Sequence, residues 1–287
     1  MEEKKTLTFW GHLDELRGVL FRIAGLVFVT MLTAFLAKET LFQIILAPGQ
    51  DDFILYRALR RAAQALYMPS LAPDHFSTHL ISTELSQQFL IHCSTALYAG
   101  ILVSSPYIIY ALFSYISPAL YPNEKRSSLT AIFASFFLFA CGVALSYFLI
   151  FPLSFRFLAT YQVADTVINT ITLESYMNTF WLLCLMMGIL FQVPILCWLL
   201  GYLGLLTASF MREYRRYAIV IILIAAAIIT PTSDVFTLLI VALPIYFLYE
   251  GSIYIVSHVE HKRKMQQQVS DEACRLAEKE WEDPYRY

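Results

Sequence analysis

Two carboxylates lie in short polar segments beside long apolar runs, where a charged side chain needs a partner or a function. Glu15 belongs to HLDELRG at His12–Gly18, and Glu124 belongs to SPALYPNEKR at Ser117–Arg126. A carboxylate at a low-dielectric boundary suits a peptide with adjacent guanidinium groups, because arginine presents a planar fork that pairs with it bidentately. We therefore interpret Glu15 and Glu124 as candidate peptide-binding residues.

The same two carboxylates admit a purely structural interpretation. Glu15 could pair with a neighbouring base such as Arg17 or Arg126, and Glu124 could pair within the surroundings of Lys125. Exposed ion pairs of this kind contribute only about 0–1 kcal/mol to stability. Residue spacing alone does not decide between the binding role and the structural role.

A helix through the first of these segments would separate its apolar face from its acid. Leu13, Leu16 and Leu20 recur at i, i+3 and i+7, so they share one helical face. Glu15 falls on another face. The spacing therefore predicts that Glu15 lies at the membrane–water boundary on a face that packing does not need.

The composition indicates that lipid is the main solvent of this chain. Of its 287 residues, 58% are hydrophobic and 15% are charged, and the mean hydropathy is +0.60. Soluble domains are about 25% charged. The formal net charge of -2 gives no basic field for nucleic acid. We predict an all-α, polytopic membrane protein.

Six apolar runs predict six transmembrane helices, some of them kinked. They lie at about residues 18–37, 89–116, 129–151, 175–206, 217–230 and 235–256. The last two are short, because about 20 apolar residues are needed to cross a bilayer. They predict either two short spans or one re-entrant hairpin, and we favour two short spans. A single membrane domain would cover residues 1–257, followed by a charged tail at 258–287 that is either a frayed helix or disordered.

Basic residues predict the orientation of these spans. With a cytoplasmic N-terminus, the internal segments hold most of the bases, whereas the external segments hold only five. These five are Lys38, Arg57, Arg60, Arg61 and Arg156. The bias predicts cytoplasmic N- and C-termini. The first apolar run has no convincing cleavage site, so we interpret it as a retained first span.

Prolines and polar residues inside the predicted spans form a second group of candidates. Pro106, Pro194 and Pro244 each lack an N–H and predict kinks, although membrane helices also tolerate proline. Gln192 would need hydrogen-bond partners in lipid, either for function or to join helices. Asp234 is predicted to cap a helix, or else to line an external rim.

Two further segments complete the organisation. The first external loop contains DDFILYRALRRAAQALY, in which Phe53, Tyr56, Leu59, Ala63 and Leu66 recur at helical spacing. This pattern predicts an amphipathic helix lying on the outer face. Five scattered cysteines, without a CxxC or a His/Cys cluster, predict neither a metal site nor a disulfide framework. Motifs for nucleophilic, phosphate-binding or metal-dependent enzymes are absent from the sequence, so we predict no enzyme and no cofactor.

The motifs taken together resemble the TatC family, the multi-spanning signal-peptide receptors of the twin-arginine protein translocase. His12–Arg17 resembles H-L-x-E-L-R, and Pro118–Arg126 resembles P-x-L-Y-x-x-E-[KR]-R. Thr230–Thr237 resembles T-P-x-D-V-x-[ST], with one extra residue before the aspartate. FQVP, FPL and LYE segments fit in the same order, so the resemblance covers roughly residues 10–255.

The resemblance implies Sec-independent translocation of folded proteins across the bacterial inner membrane, driven by the protonmotive force. It implies a receptor for twin-arginine signal peptides that works in an oligomeric complex with TatA-like and TatB-like single-span subunits. The acidic residues that carry over are Glu15 and Glu124, and the candidate signal-peptide site also includes their motif neighbours Leu16, Arg17, Lys125 and Arg126. We expect structural roles for Pro48, Pro106, Pro118, Tyr121, Pro194, Pro231 and Pro244.

Three departures from the family pattern bear on mechanism. Val19 stands where a second base often follows the first motif, and the first external loop is longer than usual. Gln192 stands where many relatives have glutamate, and an amide cannot serve as a compulsory proton carrier. The alternative function is a secondary transporter of small molecules, which would require inverted repeats and midplane charges. Neither is visible in the sequence.

Overall fold

Helices form nearly all of the chain that the structure describes. A computed structural model describes residues 9–65, 80–116, 125–162, 169–230 and 234–282. Its helices are α1 (Phe9–Leu36), α2 (Lys38–Leu46), α3 (Ile54–Ala65), α4 (Gln87–Ile116), α5 (Lys125–Leu145), α6 (Phe151–Thr160), α7 (Leu173–Leu190), α8 (Val193–Tyr202), α9 (Ala208–Glu213), α10 (Arg215–Ile229) and α11 (Val235–Glu282). The all-α prediction is confirmed.

Five helical stretches in the described chain are long and apolar enough to cross a membrane. They are Leu13–Leu36, Gln87–Tyr115, Thr130–Thr160, Leu173–Tyr202 and Val235–Arg275. The remaining predicted span is α10, whose 15 residues extend about 22 Å. Because a bilayer core is about 30 Å thick, α10 needs a thinned bilayer or a hairpin arrangement. The count of six spans stays a prediction.

Helices α1 and α4 pack antiparallel through small polar groups. Thr30 Oγ1 donates to the carbonyl oxygen of Gly100 at 3.0 Å and lies 2.8 Å from Ser104 Oγ. Further along, His92 Nε2 lies 3.1 Å from the carbonyl oxygen of Phe35. Residues later in α1 thus contact residues earlier in α4, as expected for antiparallel helices. These contacts fix the axial register of the two helices.

Glycines allow α5 and α7 to approach closely. A Cβ on Gly142 would lie 2.6 Å from the carbonyl oxygen of Met187, and one on Gly188 would lie 2.7 Å from the Phe139 ring. Small residues at such contacts let helix backbones pack tightly in lipid, where no hydrophobic force draws helices together. The α5–α7 contact therefore depends on glycine at positions 142 and 188, where any side chain would clash.

The third predicted span is longer than the sequence indicated. After α5 the helix widens into a π-helical turn at Ser146–Ile150 and continues as α6 to Thr160. Pro152 sits at the start of α6, where its missing N–H fits the altered hydrogen-bond pattern. The helix therefore continues nine residues beyond the predicted span, which ended at about Phe151.

A cap, formed largely by α3 and the segments around it, joins the helix ends at one end of the bundle. The predicted amphipathic helix is confirmed as α3, but its apolar face packs on the protein: Tyr56 is fully buried and its hydroxyl donates to the carbonyl of Pro152 at 2.7 Å. Tyr176 similarly donates to the carbonyl of Ile45 at 2.9 Å. The predicted Leu66 lies outside the described residues. The contact of Tyr56 with Pro152 shows that the apolar face of α3 is part of the protein core.

A small parallel sheet completes the cap. Leu80–Ile81 (β1) pairs with Ile171–Thr172 (β2), which brings the starts of α4 and α7 together. Gln87, which is buried, donates from Nε2 to the Glu174 carboxylate at 2.7 Å. This contact connects the first turns of the two helices.

The last helix differs from the prediction for the charged tail. α11 runs without interruption for 48 residues, from Val235 to Glu282, so the tail from residue 258 is helical as far as it is described. Pro244 lies inside α11 and Pro106 lies inside α4, and neither proline ends its helix. The fourth predicted span, in contrast, is divided at Phe191–Gln192 into α7 and α8.

Candidate functional site

The first predicted binding segment lies in the opening turns of α1. Glu15 and Arg17 are exposed, whereas Leu16 is half-buried. The Arg17 guanidinium lies 5.5 Å from the centre of the Phe21 ring, so this base is oriented along its own helix by a cation–π contact. Leu13 and Leu20, which were predicted to share a packing face, are exposed as well. Exposure therefore does not separate the acidic face from the apolar face within this chain, and the position of Glu15 at the membrane boundary stays a prediction.

The second predicted binding segment is described only at its end. Glu124 lies outside the described residues, as do the predicted structural residues Pro118 and Tyr121. Lys125 and Arg126 are the first two residues of α5, and their backbone is helical. The described residues therefore contain one of the two predicted carboxylates.

The register of α1 and α4 places Glu15 close in depth to the start of the α4–α5 connection. Glu15 precedes Thr30 by about 22 Å of helix, and Ile116 follows Ser104 by about 18 Å. Because Thr30 and Ser104 are in contact and the helices are antiparallel, the two points differ by less than about one helical turn along the axis. α4 ends at Ile116, where the connection that carries Glu124 begins.

Gln192 has two hydrogen bonds with one residue of a neighbouring helix. Its Nε2 donates to the carbonyl oxygen of Ser135 at 3.0 Å, and its Oε1 accepts from Ser135 Oγ. The predicted need for interhelical partners is met. The amide stands at the α7–α8 break, one residue before α8 and two before the buried Pro194.

The predicted helix cap and one of the predicted structural prolines are also in place. Asp234 Oδ1 accepts from the backbone N–H of Thr237 at 2.6 Å, so Asp234 caps α11. Pro48 is buried in a short 3-10 turn, and its carbonyl oxygen accepts from the Tyr56 hydroxyl at 3.4 Å. Pro231 lies outside the described residues.

An ion pair between α10 and α11 was not predicted from the sequence. Arg215 Nη2 lies 2.7 Å from Glu250 Oε2, and the Tyr246 hydroxyl donates to Glu250 Oε1 at 2.9 Å. The sequence did show Glu250 interrupting an apolar run. Arg215 could have been identified as its partner, because two consecutive antiparallel helices bring residues about 15 positions before and after their connection to one level.

Burial also changes the pKa of the Tyr56 hydroxyl, which lies outside the predicted spans. Burial raises the pKa of Tyr56, an effect that the nearby Arg156 partly opposes. The Arg156 guanidinium lies 5.2 Å from the centre of the Tyr56 ring. The phenol is therefore neutral and acts as a hydrogen-bond donor in the cap.

Comparison with known proteins places most of the chain in one family. The family model described as Sec-independent protein translocase protein (TatC) matches residues 11–244. A TatC protein of Blattabacterium sp. subsp. Periplaneta americana is 32% identical over 265 residues, covering 91% of this chain and 99% of that protein. One from Deinococcus radiodurans is 31% identical over 253 residues, covering 88% and 87%.

Solved structures agree with these matches. A crystal structure of the twin-arginine translocase receptor TatC superposes with a TM-score of 0.68 at 27% identity. The similarity covers 86% of this chain and 99% of that chain. A second crystal structure of TatC, in the detergent DDM, gives a TM-score of 0.70 at the same identity and coverage. The arrangement of helices is therefore shared with known receptors.

Proposed function

The chain belongs to the TatC family, and from this premise we propose that Glu15 and Glu124 form a signal-peptide site at one end of the membrane bundle. The chain is a multi-pass membrane protein of the Sec-independent protein translocase. Its role in the twin-arginine system is that of a receptor. The ligand of the proposed site is the pair of adjacent arginines in a twin-arginine signal peptide.

One observation carries this proposal. Glu15 is exposed at nearly the depth at which α4 ends and the connection bearing Glu124 begins. Two carboxylates at one depth can pair with two guanidinium groups of one peptide, and charge-assisted hydrogen bonds are roughly twice as strong as neutral ones. Leu16, Arg17, Lys125 and Arg126 would flank the peptide.

The same proposal includes the orientation and the partners. The N- and C-termini are cytoplasmic in the bacterial inner membrane, so the site faces passengers before transport. TatA-like and TatB-like single-span subunits assemble with the chain in an oligomeric complex. The protonmotive force drives transport, and the chain itself performs no enzymatic reaction. The Gln192–Ser135 pair is consistent with a structural role for Gln192 in this mechanism, because a neutral amide joins helices without carrying a proton.

Crosslinking of a twin-arginine signal peptide to the chain in membrane vesicles tests the site. Glu15→Gln and Glu124→Gln each remove one charge-assisted pair, worth about 1.5–3 kcal/mol, so we expect the apparent affinity to fall about tenfold or more. Replacing the two peptide arginines by lysines should weaken crosslinking in the native chain. Asp14→Asn is the matched control, since Asp14 is exposed beside Glu15 and should bind normally.

Two results would reject the carboxylate site. Equal crosslinking of the native chain and both glutamate variants would return Glu15 and Glu124 to structural roles. Loss of crosslinking in Asp14→Asn as well would indicate a general effect of negative charge. Transport of a small solute by the purified chain, with no peptide binding, would instead support the transporter alternative.

A further inference from the structure

A groove of about 650 Å³ lies where α8 ends and α11 continues. Trp198 and Tyr202 of α8 line one side, and His258, Lys262 and Arg263 of α11 line another. Pockets that bind small molecules have volumes of roughly 300–1,000 Å³. The groove therefore has the size for one small polar group.

The groove arises because two packed helices have different lengths. Val256 of α11 is fully buried, and a Cβ on Gly201 of α8 would lie 3.3 Å from its methyl carbon. α8 ends at Tyr202, but α11 continues, and Val259 and Arg263 extend the face of Val256 at helical spacing. Beyond α8 this face of α11 borders an open space.

The groove carries positive charge that the described chain does not neutralise. Lys262 and Arg263 are exposed, and neither forms an ion pair with a carboxylate among the described residues. The nearby acid Glu260 is already engaged: it lies 2.8 Å from Lys264 Nζ and accepts from the backbone N–H of Ala208 at 3.2 Å.

Gly204 leaves room for the side chain of Arg263, one of the two bases. Gly204, in the turn after α8, has a φ of 76°. A Cβ at this position would lie 1.7 Å from Arg263 Nη1, so the guanidinium occupies the space that a side chain would fill. The left-handed backbone and the close approach both require glycine. The turn thus holds the Arg263 guanidinium at the edge of the groove.

The aromatic residues indicate the depth of the groove in the membrane. Trp198 and Tyr202 stack with centroids 5.9 Å apart at the end of the apolar stretch Leu173–Tyr202. Tryptophan and tyrosine are enriched where membrane meets water, since each has an apolar ring and a polar group. The bases follow immediately beyond this level, at the depth of lipid headgroups.

We propose that this groove binds the headgroup of an anionic phospholipid. Lys262 and Arg263 hold the phosphate, and Trp198 and Tyr202 contact the boundary between the headgroup and the acyl chains. Basic side chains just outside a membrane span attract anionic lipids in this way. Free inorganic phosphate shares the same chemistry, so the experiment compares the two sources.

Native mass spectrometry of the full chain in detergent micelles tests the proposal. The probes are phosphatidylglycerol, phosphatidylcholine of the same acyl chains, and inorganic phosphate. We expect one phosphatidylglycerol to be retained in preference to phosphatidylcholine. The double variant Lys262→Gln, Arg263→Gln should bind it roughly 10- to 30-fold more weakly. The control, Arg57→Gln with Arg61→Gln, removes two exposed bases from α3 and should bind normally.

Each other result would overturn the proposal. Equal loss of lipid in both double variants would mean that binding follows net charge and not the groove. Equal retention of phosphatidylglycerol and phosphatidylcholine would show that binding does not depend on an anionic headgroup. Displacement of the lipid by millimolar inorganic phosphate would assign the groove to a free anion. Circular dichroism of each variant shows whether its helices are intact, and Gly204→Ala provides a second variant that displaces Arg263 without removing charge.

Discussion

The contact between Gln192 and Ser135 shows how a polar side chain is tolerated inside the membrane bundle. Both the amide oxygen and the amide nitrogen have a partner on the same residue of α5. The partner could not be predicted, because Ser135 is 57 residues away in sequence and is one of many serines. The need for a partner could be predicted, because an unsatisfied amide in lipid costs free energy.

We expect Ser135→Ala and Gln192→Leu to destabilise the chain by coupled amounts. Each removes at least one hydrogen bond across α5 and α8, and such bonds in membrane proteins contribute about 0.6 kcal/mol on average, with a maximum of about 1.7. Unfolding in detergent micelles, with the double variant included, measures the coupling free energy. Ser114→Ala, at an exposed position on α4, is the control. If the losses of unfolding free energy in the two single variants added exactly in the double variant, Gln192 and Ser135 would not stabilise the chain as an interacting pair.

The glycines of the α5–α7 contact differ sharply from those of α1. We expect Gly142→Ala to lower the free energy of unfolding by about 1–3 kcal/mol, because its Cβ would lie 2.6 Å from a backbone oxygen. Gly25→Ala should cause no such loss, since nothing lies within 4 Å of its Cβ. Thermal unfolding of both variants in the same detergent makes the comparison. Similar losses in both would show that the close approach is not rigid.

At the scale of elements, local sequence signals predicted what local interactions determine. The Asp234 cap follows from an aspartate placed before an apolar helix, and α3 follows from its apolar spacing. The break before α8 lies where Pro194 predicted a kink. The length of α11 was missed, because it involves contacts between distant segments, such as Glu260 with Ala208.

The start of α11 should depend on the oxygen of its cap and not on its charge. Asp234→Ala removes the acceptor for the Thr237 N–H, and loss of an N-cap costs about 0.5–2 kcal/mol. Asp234→Asn keeps an oxygen at that place and should retain most of the stability. Unfolding free energies of both variants test this expectation. A similar loss in Asp234→Asn would assign the effect to charge.

At the scale of the whole molecule, the apolar runs could be read as helices, but not how the last two cross the bilayer. The length of an apolar run predicts a membrane span only when the helix is long enough to cross the bilayer, and α10 is too short for that. The signal-peptide site has a similar limit. Its residue types and order were readable in the sequence, whereas the shared depth of Glu15 and the α4–α5 connection follows from the α1–α4 register.

A membrane-impermeant maleimide distinguishes two short spans from a hairpin. Val235 is exposed at the first turn of α11, and Cys274 is exposed in its outer part. We expect Val235→Cys to be labelled from the external side in spheroplasts and Cys274 only in inverted vesicles. Labelling of both from the cytoplasmic side would indicate a re-entrant hairpin. Cys274→Ser identifies the signal of the native thiol.

The unbroken length of α11 has a mechanical consequence. Its 48 residues form a rod of about 72 Å, more than twice the thickness of the bilayer core. A tilt of about one degree at the membrane end moves the far end by about 1.3 Å, and the same geometry acts in reverse. A load on the distal end therefore acts as a torque on the contact between α10 and α11, where Arg215 and Glu250 join the two helices.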